Sequence, residues 1–109
     1  MRDILFRAKE SNTNQWVYGS LLCFKGCTIF DENFGRLHPV REETVCEYTG
    51  MRDKNGIRIF EHDSVELFGA TYTVIYSEGS FNLSGSEGQI VGLGKFAARV
   101  TVIGNIFDC

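Results

Sequence analysis

Alternation of apolar and polar residues predicts β-strands over most of the chain. In residues 4–8, Ile4, Phe6 and Ala8 alternate with Leu5 and Arg7, which predicts a strand with one well-buried face. Residues 16–24 repeat this alternation after a polar turn cluster, so they predict the return strand of an N-terminal hairpin. Lys25-Gly26 then predicts a turn, and residues 28–30 predict a short third strand.

The strand signals are closest together between residues 57 and 107, where short turns separate them. The strongest is residues 71–76, in which every residue is β-branched or aromatic. Residues 95–98 predict a short helical turn, and residues 99–107 predict a closing strand. Five closely spaced strands with tight turns are typical of a small SH3-like barrel.

A block between these two parts predicts two chain reversals. Asn55-Gly56 tolerates the positive φ angles of a tight turn, and Asp53 at its head can accept a hydrogen bond from the backbone N–H two residues later. The alternation resumes at residues 57–60 and again at Val65. The polar residues 61–64 between them therefore predict the second reversal.

The segment from residue 31 to residue 39 has the least regular pattern and predicts a loop that contains His38. Its apolar residues Phe34 and Leu37 have two interpretations: they pack back onto the sheet, the more frequent arrangement, or they contact a partner. The chain is thus predicted to be mainly β. An N-terminal β-hairpin and sheet portion, residues 1–47, is packed with a C-terminal SH3-like small β-barrel, residues 48–109, unless both form one continuous domain.

Composition and charge exclude several classes of protein. The 109 residues suit one domain, and nine Phe, twelve Gly and a single Pro favour short strands joined by turns. The net charge is −3 and the basic residues are scattered singly, so nucleic acid is an improbable partner and a membrane surface is disfavoured. Neither a membrane-spanning run nor a signal peptide is apparent, which predicts a cytoplasmic protein.

The four cysteines are predicted to be thiols, because a cytoplasmic location keeps them reduced. Cys23 and Cys27 have the spacing of half a zinc site, but no second close pair of Cys or His residues follows. Cys46 and the terminal Cys109 stand apart from them. We therefore expect neither a metal nor a cofactor.

One titratable cluster, Glu61-His62-Asp63, admits a catalytic interpretation in which a carboxylate orients His62 as a general base. No nucleophile or metal set accompanies it, so a solvated turn is the preferred interpretation and no catalytic residue is assigned. Arg52, Lys54 and Arg58 lie close together around the Asn55-Gly56 turn. They are candidates for phosphate contacts, against the alternative of a solvated hairpin tip.

The aromatic residues Tyr72, Tyr76 and Phe81 raise the possibility of bases stacking on an open barrel face. The negative net charge argues against this, and a core position for alternate aromatics is favoured. Exposed aromatics here would also suit a protein partner or a subunit contact, so Tyr72 and Tyr76 join Phe34 and Leu37 as candidate partner-binding residues.

The block YTGMRDKNGIRIFEHDSV, residues 48–65, resembles the YTGLxDKNGxxIYEGDIV signature of YopX-like proteins, which are encoded mainly by bacteriophages and prophages. Residues 1–8, 18–21 and 102–107 are similar to three further family segments in the same order. One departure is His62, where the family usually has glycine. The resemblance implies an all-β fold with an SH3-like C-terminal part, often as an oligomer, but no specific activity.

These observations favour a non-enzymatic phage or prophage accessory protein that binds a host or phage protein in the bacterial cytoplasm, assembles as a homo-oligomer and has no membrane partner. The second hypothesis is an oligomeric small-ligand binder, for example of a nucleotide. A nucleic-acid-binding β-barrel is the third, and an enzyme comes last.

Overall fold

The computed structural model describes residues 5–108, so the interpretations that involve Ile4, the residues before it and Cys109 lie outside the described residues. The chain divides into two compact units, Met1–Tyr48 and Thr49–Cys109. The described residues are mainly β, as predicted, with short helical turns. No helix in residues 5–108 has the length and apolar character needed to cross a membrane.

The first unit is an antiparallel sheet in the order β4-β3-β2-β1-β5. Its strands are β1 (Phe6–Lys9), β2 (Trp16–Cys23), β3 (Cys27–Asp31), β4 (Arg36–Val40) and β5 (Cys46–Arg52), of which β5 continues into the second unit. A 3-10 turn, Glu42–Thr44, precedes β5. Ala8, Ile29 and Val40 are buried together on one face, and Glu10 forms an isolated β-bridge with Val40. The bridge joins the chain just after β1 to the end of β4.

The loop predicted at residues 31–39 is mostly strand. Only residues 32–35 form the turn, and β4 carries both His38 and Pro39. The Pro39 carbonyl accepts the Ser11 N–H at 2.9 Å, so the nitrogen of Pro39 faces away from β3, on the side where β4 makes only the isolated bridge to Glu10, and no β3–β4 ladder bond is lost. The expectation that proline and mixed polarity mark a loop was therefore wrong here.

Cys23 and Cys27 are joined by a disulfide across the β2–β3 turn. The register places them directly opposite each other, with their Cα atoms 4.2 Å apart. The expectation of thiols was wrong for this pair, because it rested on compartment alone and could not include the register. Cys46 is a buried thiol, as predicted, and its Sγ donates to the Thr44 carbonyl.

The second unit contains the β5–β6 hairpin and a five-stranded antiparallel sheet in the order β10-β9-β8-β7-β11. The strands are β6 (Arg58–Phe60), β7 (Asp63–Leu67), β8 (Ala70–Ser77), β9 (Ser80–Gly85), β10 (Ile90–Gly92) and β11 (Thr101–Asn105). β8 contains the predicted strand 71–76. In the described residues β10 and β11 end the sheet on its two sides, so the sheet is open and the SH3-like barrel is not confirmed.

The core of the second unit lies between this sheet and a short helical segment. Helix α1 (Leu93–Phe96) and a 3-10 turn (Ala97–Arg99) contribute the buried side chains of Leu93 and Ala97. The sheet contributes Val65, Leu67, Val74, Phe81 and Leu83. Ile59 of β6 and Val100, which follows the helical segment, complete the buried apolar residues of this core. The predicted helical turn at residues 95–98 is thus present, although the helical segment begins earlier, at Leu93.

Candidate functional site

The β3–β4 turn holds an aromatic side chain in solvent. The Asn33 N–H donates to Asp31 Oδ1 at 3.0 Å, which fixes the start of the turn, and Gly35 has a φ of +62°. Between them Phe34 is 77% exposed. Leu37, on β4, is 61% exposed. The interpretation that these two residues pack back onto the sheet was wrong.

Beside Phe34 the first unit has a cavity of about 520 Å³. By area its surface is mainly apolar, although Asp31, Arg36 and His38 line it together with Val17 and Phe34. A volume of this size is within the range of ~300–1,000 Å³ that ligand and anchor pockets occupy. The first unit therefore combines a concave apolar surface with an exposed aromatic ring at its rim.

His38 connects this cavity to the end of β1. Its Nδ1 lies 2.6 Å from Glu10 Oε2, and its Nε2 lies 4.0 Å from Asp31 Oδ2. The hydrogen bond with His38, followed by one from the Thr13 hydroxyl at 2.8 Å, holds the pKa of Glu10 below its ordinary value. The cavity wall is thus held by polar contacts between residues far apart in sequence.

Sequence reasoning missed Glu10, Val17 and His38 as parts of one site, since each belongs to a different segment. The register that unites them is set by long-range strand pairing. A partial signal was present, because Arg36 and His38 alternate around Leu37 as side chains on one face of a strand do. The same alternation places Leu37 on the face opposite the cavity, so Phe34 and Leu37 do not form one patch.

The three candidate phosphate ligands all lie on the β5–β6 hairpin and are exposed. Arg52 Nη1 donates to the Gly56 carbonyl at 2.9 Å, so its guanidinium already supports the turn. The Lys54 backbone N–H donates to the Val100 carbonyl at 3.1 Å, which fixes the loop but leaves the role of its ammonium untested. Phosphate binding by Arg52, Lys54 and Arg58 stays a prediction.

The centre of this hairpin is the buried carboxylate of Asp53. Its Oδ1 accepts the N–H groups of Asn55 at 2.8 Å and Ile57 at 2.9 Å, and its Oδ2 accepts the Val102 N–H at 2.9 Å. Burial alone raises the pKa of Asp53, but the three backbone donors and the nearby Lys54 outweigh it and lower the pKa below its ordinary value. The predicted bond from residue 55 is confirmed, and the bond from β11 adds a long-range connection.

The candidate aromatic residues of β8 differ in exposure. Tyr72 is partly buried and packs against the core of the second unit, whereas Tyr76 is 55% exposed. Tyr76 makes an edge contact with Phe81, with ring centroids 5.1 Å apart. Phe81 is buried in that core, as the interpretation of alternate aromatics as core residues predicted, so its ring is not exposed for stacking with a nucleic-acid base.

The cluster at residues 61–63 is not wholly solvated, contrary to the preferred interpretation. Asp63 is 1% exposed, and its Oδ2 accepts the Phe60 N–H at 2.8 Å. His62 has a φ of +72°, and its ring makes an edge contact with Phe107. Asp63 therefore closes the reversal between β6 and β7 as a structural hydrogen-bond acceptor.

The family model described as YopX protein matches residues 5–109, nearly the whole chain. The chain belongs to the YopX protein family. It matches no curated protein.

In this YopX family member, the block at residues 48–65 is explained by the demands of the backbone. The Thr49 hydroxyl donates to the Ile59 carbonyl at 2.8 Å, and the carboxylates of Asp53 and Asp63 accept backbone N–H groups. Gly50 and Gly56 both have positive φ. The residues that carry the resemblance therefore stabilise two consecutive reversals.

His62 occupies the left-handed backbone conformation that glycine adopts most readily. We therefore expect His62→Gly to be more stable than His62→Ala by about 1 kcal/mol, since an L side chain costs ~1–2 kcal/mol in this conformation. Both variants lack the imidazole, so the comparison isolates the effect of Cβ. Denaturant unfolding measures the difference, and an alanine variant of equal or greater stability would show that the conformation carries no strain.

Proposed function

We propose that this YopX family member is a non-enzymatic protein of phage or prophage origin that binds a host or phage protein in the bacterial cytoplasm. The observation that carries this proposal is the exposed Phe34 ring at the rim of the apolar cavity of the first unit. Aromatic residues beside a pocket are frequent anchors of protein–protein interfaces. The cavity in turn can receive an apolar side chain of the partner.

The charges around the cavity suit a protein partner of mixed polarity. Arg36 is exposed, is paired with Asp31 in the β3–β4 register and lines the cavity with it, and both Glu10 and Asp31 lie near His38. An apolar centre with a polar rim is the usual anatomy of such an interface. The signature block supports the non-enzymatic part of the proposal, because the side-chain oxygens of Thr49, Asp53 and Asp63 bond to backbone groups.

The test is affinity purification of the tagged full chain from infected or lysogenic bacteria, with mass spectrometry of proteins and small molecules. We expect Phe34→Ser to lose the captured protein, with binding weakened by about 30-fold, as for a hot-spot residue worth ~2 kcal/mol. Phe68→Ser is the matched control, since Phe68 is a phenylalanine of equal exposure in the second unit. Unchanged capture by Phe34→Ser would contradict the proposed surface.

A homo-oligomer is part of the same proposal and is tested by light scattering of the purified chain. Release of a nucleotide from the purified protein on denaturation would instead support the small-ligand hypothesis. In that case Arg52→Ser and Arg58→Ser would lower nucleotide retention while Phe34→Ser would not.

A further inference from the structure

The second unit has a polar cavity of about 540 Å³ where β9 ends. Residues 70–73 of β8 form one side, and Ser84, Gly85, Ser86 and Gln89 form the other. The chain reverses here between β9 and β10, with the Gly85 N–H donating to the Gln89 carbonyl at 2.8 Å. The cavity lies at the end of the strand pair, so residues from both faces of β8 contribute to it.

Within residues 5–108, no charged residue lines this cavity. Thr71, Thr73, Ser84 and Ser86 carry hydroxyl groups, each of which both donates and accepts a hydrogen bond. Cationic side chains are the most frequent ligands of phosphate and carboxylate groups, and the described part of the chain places none of them in this lining. The lining therefore suits a neutral ligand that has many hydroxyl groups.

Gly85 lines the cavity between the side chains of Tyr72 and Gln89. It lies directly opposite Tyr72 in the β8–β9 register. A Cβ at position 85 would overlap Gln89 Oε1 and would lie 3.2 Å from Cε2 of the Tyr72 ring. A side chain at position 85 would therefore displace the Gln89 carboxamide, which is the end of a flexible side chain, rather than the backbone.

The Gln89 carboxamide and the Tyr72 ring both have contacts within the protein before any ligand binds. Gln89 Oε1 accepts the Glu87 N–H at 3.0 Å, which leaves the amide nitrogen as the donor for a ligand. Tyr72 packs against the core of the second unit. Groups that are already ordered lose little conformational entropy on binding.

We propose that this cavity binds a neutral sugar ring, as a monosaccharide or one unit of an oligosaccharide. The apolar C–H face of the sugar stacks on the Tyr72 ring, and its hydroxyl groups exchange hydrogen bonds with the Gln89 amide, which lies on the same face of the sheet as that ring. This site lies in the second unit and does not depend on the proposed protein-binding surface.

The experiment is an NMR titration of the ¹⁵N-labelled full chain with three neutral disaccharides: maltose, cellobiose and N,N′-diacetylchitobiose. At least one should cause saturable shifts of the amides of residues 70–73 and 84–89, while inorganic phosphate should not. Gln89→Ala should weaken that binding about two- to thirteenfold, as expected for the loss of one hydrogen bond of ~0.5–1.5 kcal/mol. Ile90→Ala, an exposed neighbour outside the lining, should bind as the wild type does.

Gly85→Ala should weaken sugar binding to a similar extent, because it displaces the Gln89 side chain. If Gly85→Ala does not fold, Gln89→Ala still tests the proposal. The proposal is overturned if none of the three disaccharides shifts these amides. It is also overturned if binding is unaffected by Gln89→Ala, or if phosphate shifts the same amides as strongly.

Discussion

Asp53→Ala should lower the free energy of unfolding of the second unit by about 4.5 kcal/mol or more, because each of three hydrogen bonds to a charged group contributes at least ~1.5 kcal/mol. The substitution removes the acceptor of three backbone N–H groups, those of Asn55, Ile57 and Val102. These donors would be left without the carboxylate in a site where Asp53 is buried. Denaturant unfolding of the full chain measures the loss.

The control is Glu66→Ala, which removes an exposed carboxylate from the same unit and should change stability by less than about 0.5 kcal/mol. Asp53→Asn should fall between the two, since it retains one acceptor oxygen but places an N–H₂ group near a backbone donor. An Asp53→Ala variant as stable as the control would show that the three hydrogen bonds contribute nothing net.

The same carboxylate makes stability depend on acid pH. Because the pKa of Asp53 is lower in the folded protein than in the unfolded chain, its ionisation stabilises the fold fully above the unfolded pKa of about 4. That contribution is lost as the pH falls below about 4 and through the folded pKa. The wild type should therefore lose more stability than Asp53→Asn between pH 7 and pH 3, and parallel profiles would contradict the assignment.

Gly19→Ala should disrupt the first unit, with a loss of about 3 kcal/mol or more, which is at the upper end of the cost of overpacking. A Cβ at Gly19 would overlap the carbonyl oxygen of Phe30, and it would lie 2.8 Å from the carbonyl carbon. Phe30 belongs to β3, which pairs with β2 through Ser20 and Phe30. Since both colliding atoms are backbone, the strands themselves would have to separate.

Gly104→Ala is the matched control, because Gly104 also lies in a strand and no atom comes within 4 Å of a Cβ built there. Its stability should change by less than about 1 kcal/mol. Circular dichroism and amide exchange of residues 16–31 would follow the loss of the β2–β3 pair in Gly19→Ala. Native exchange rates in that segment would show that the strands adapt without cost.

The parts of the candidate site that could be predicted are those in which the interacting residues are close in sequence. The Asn55-Gly56 turn and the bond from residue 55 to Asp53 join groups two residues apart, so the sequence pattern was sufficient for both. The exposure of Phe34 was not predictable in the same way, because an apolar residue in a turn is compatible with either burial or exposure. The cavity beside it depends on Val17 and His38, which strand pairing brings together across 21 positions of sequence.

What the sequence determined by itself was the mainly β fold, the strand 71–76 and the reversals around Asp53, since these follow from side-chain alternation and turn chemistry. Tertiary structure alone decided that the five-stranded sheet is open, that Cys23 and Cys27 form a disulfide, and that the Val102 N–H donates to Asp53. It also decided how closely the Phe30 backbone approaches Gly19. The physical reason is that alternation fixes which face of a strand is buried. Register and curvature are fixed by the strands that pair with it, often from distant parts of the chain.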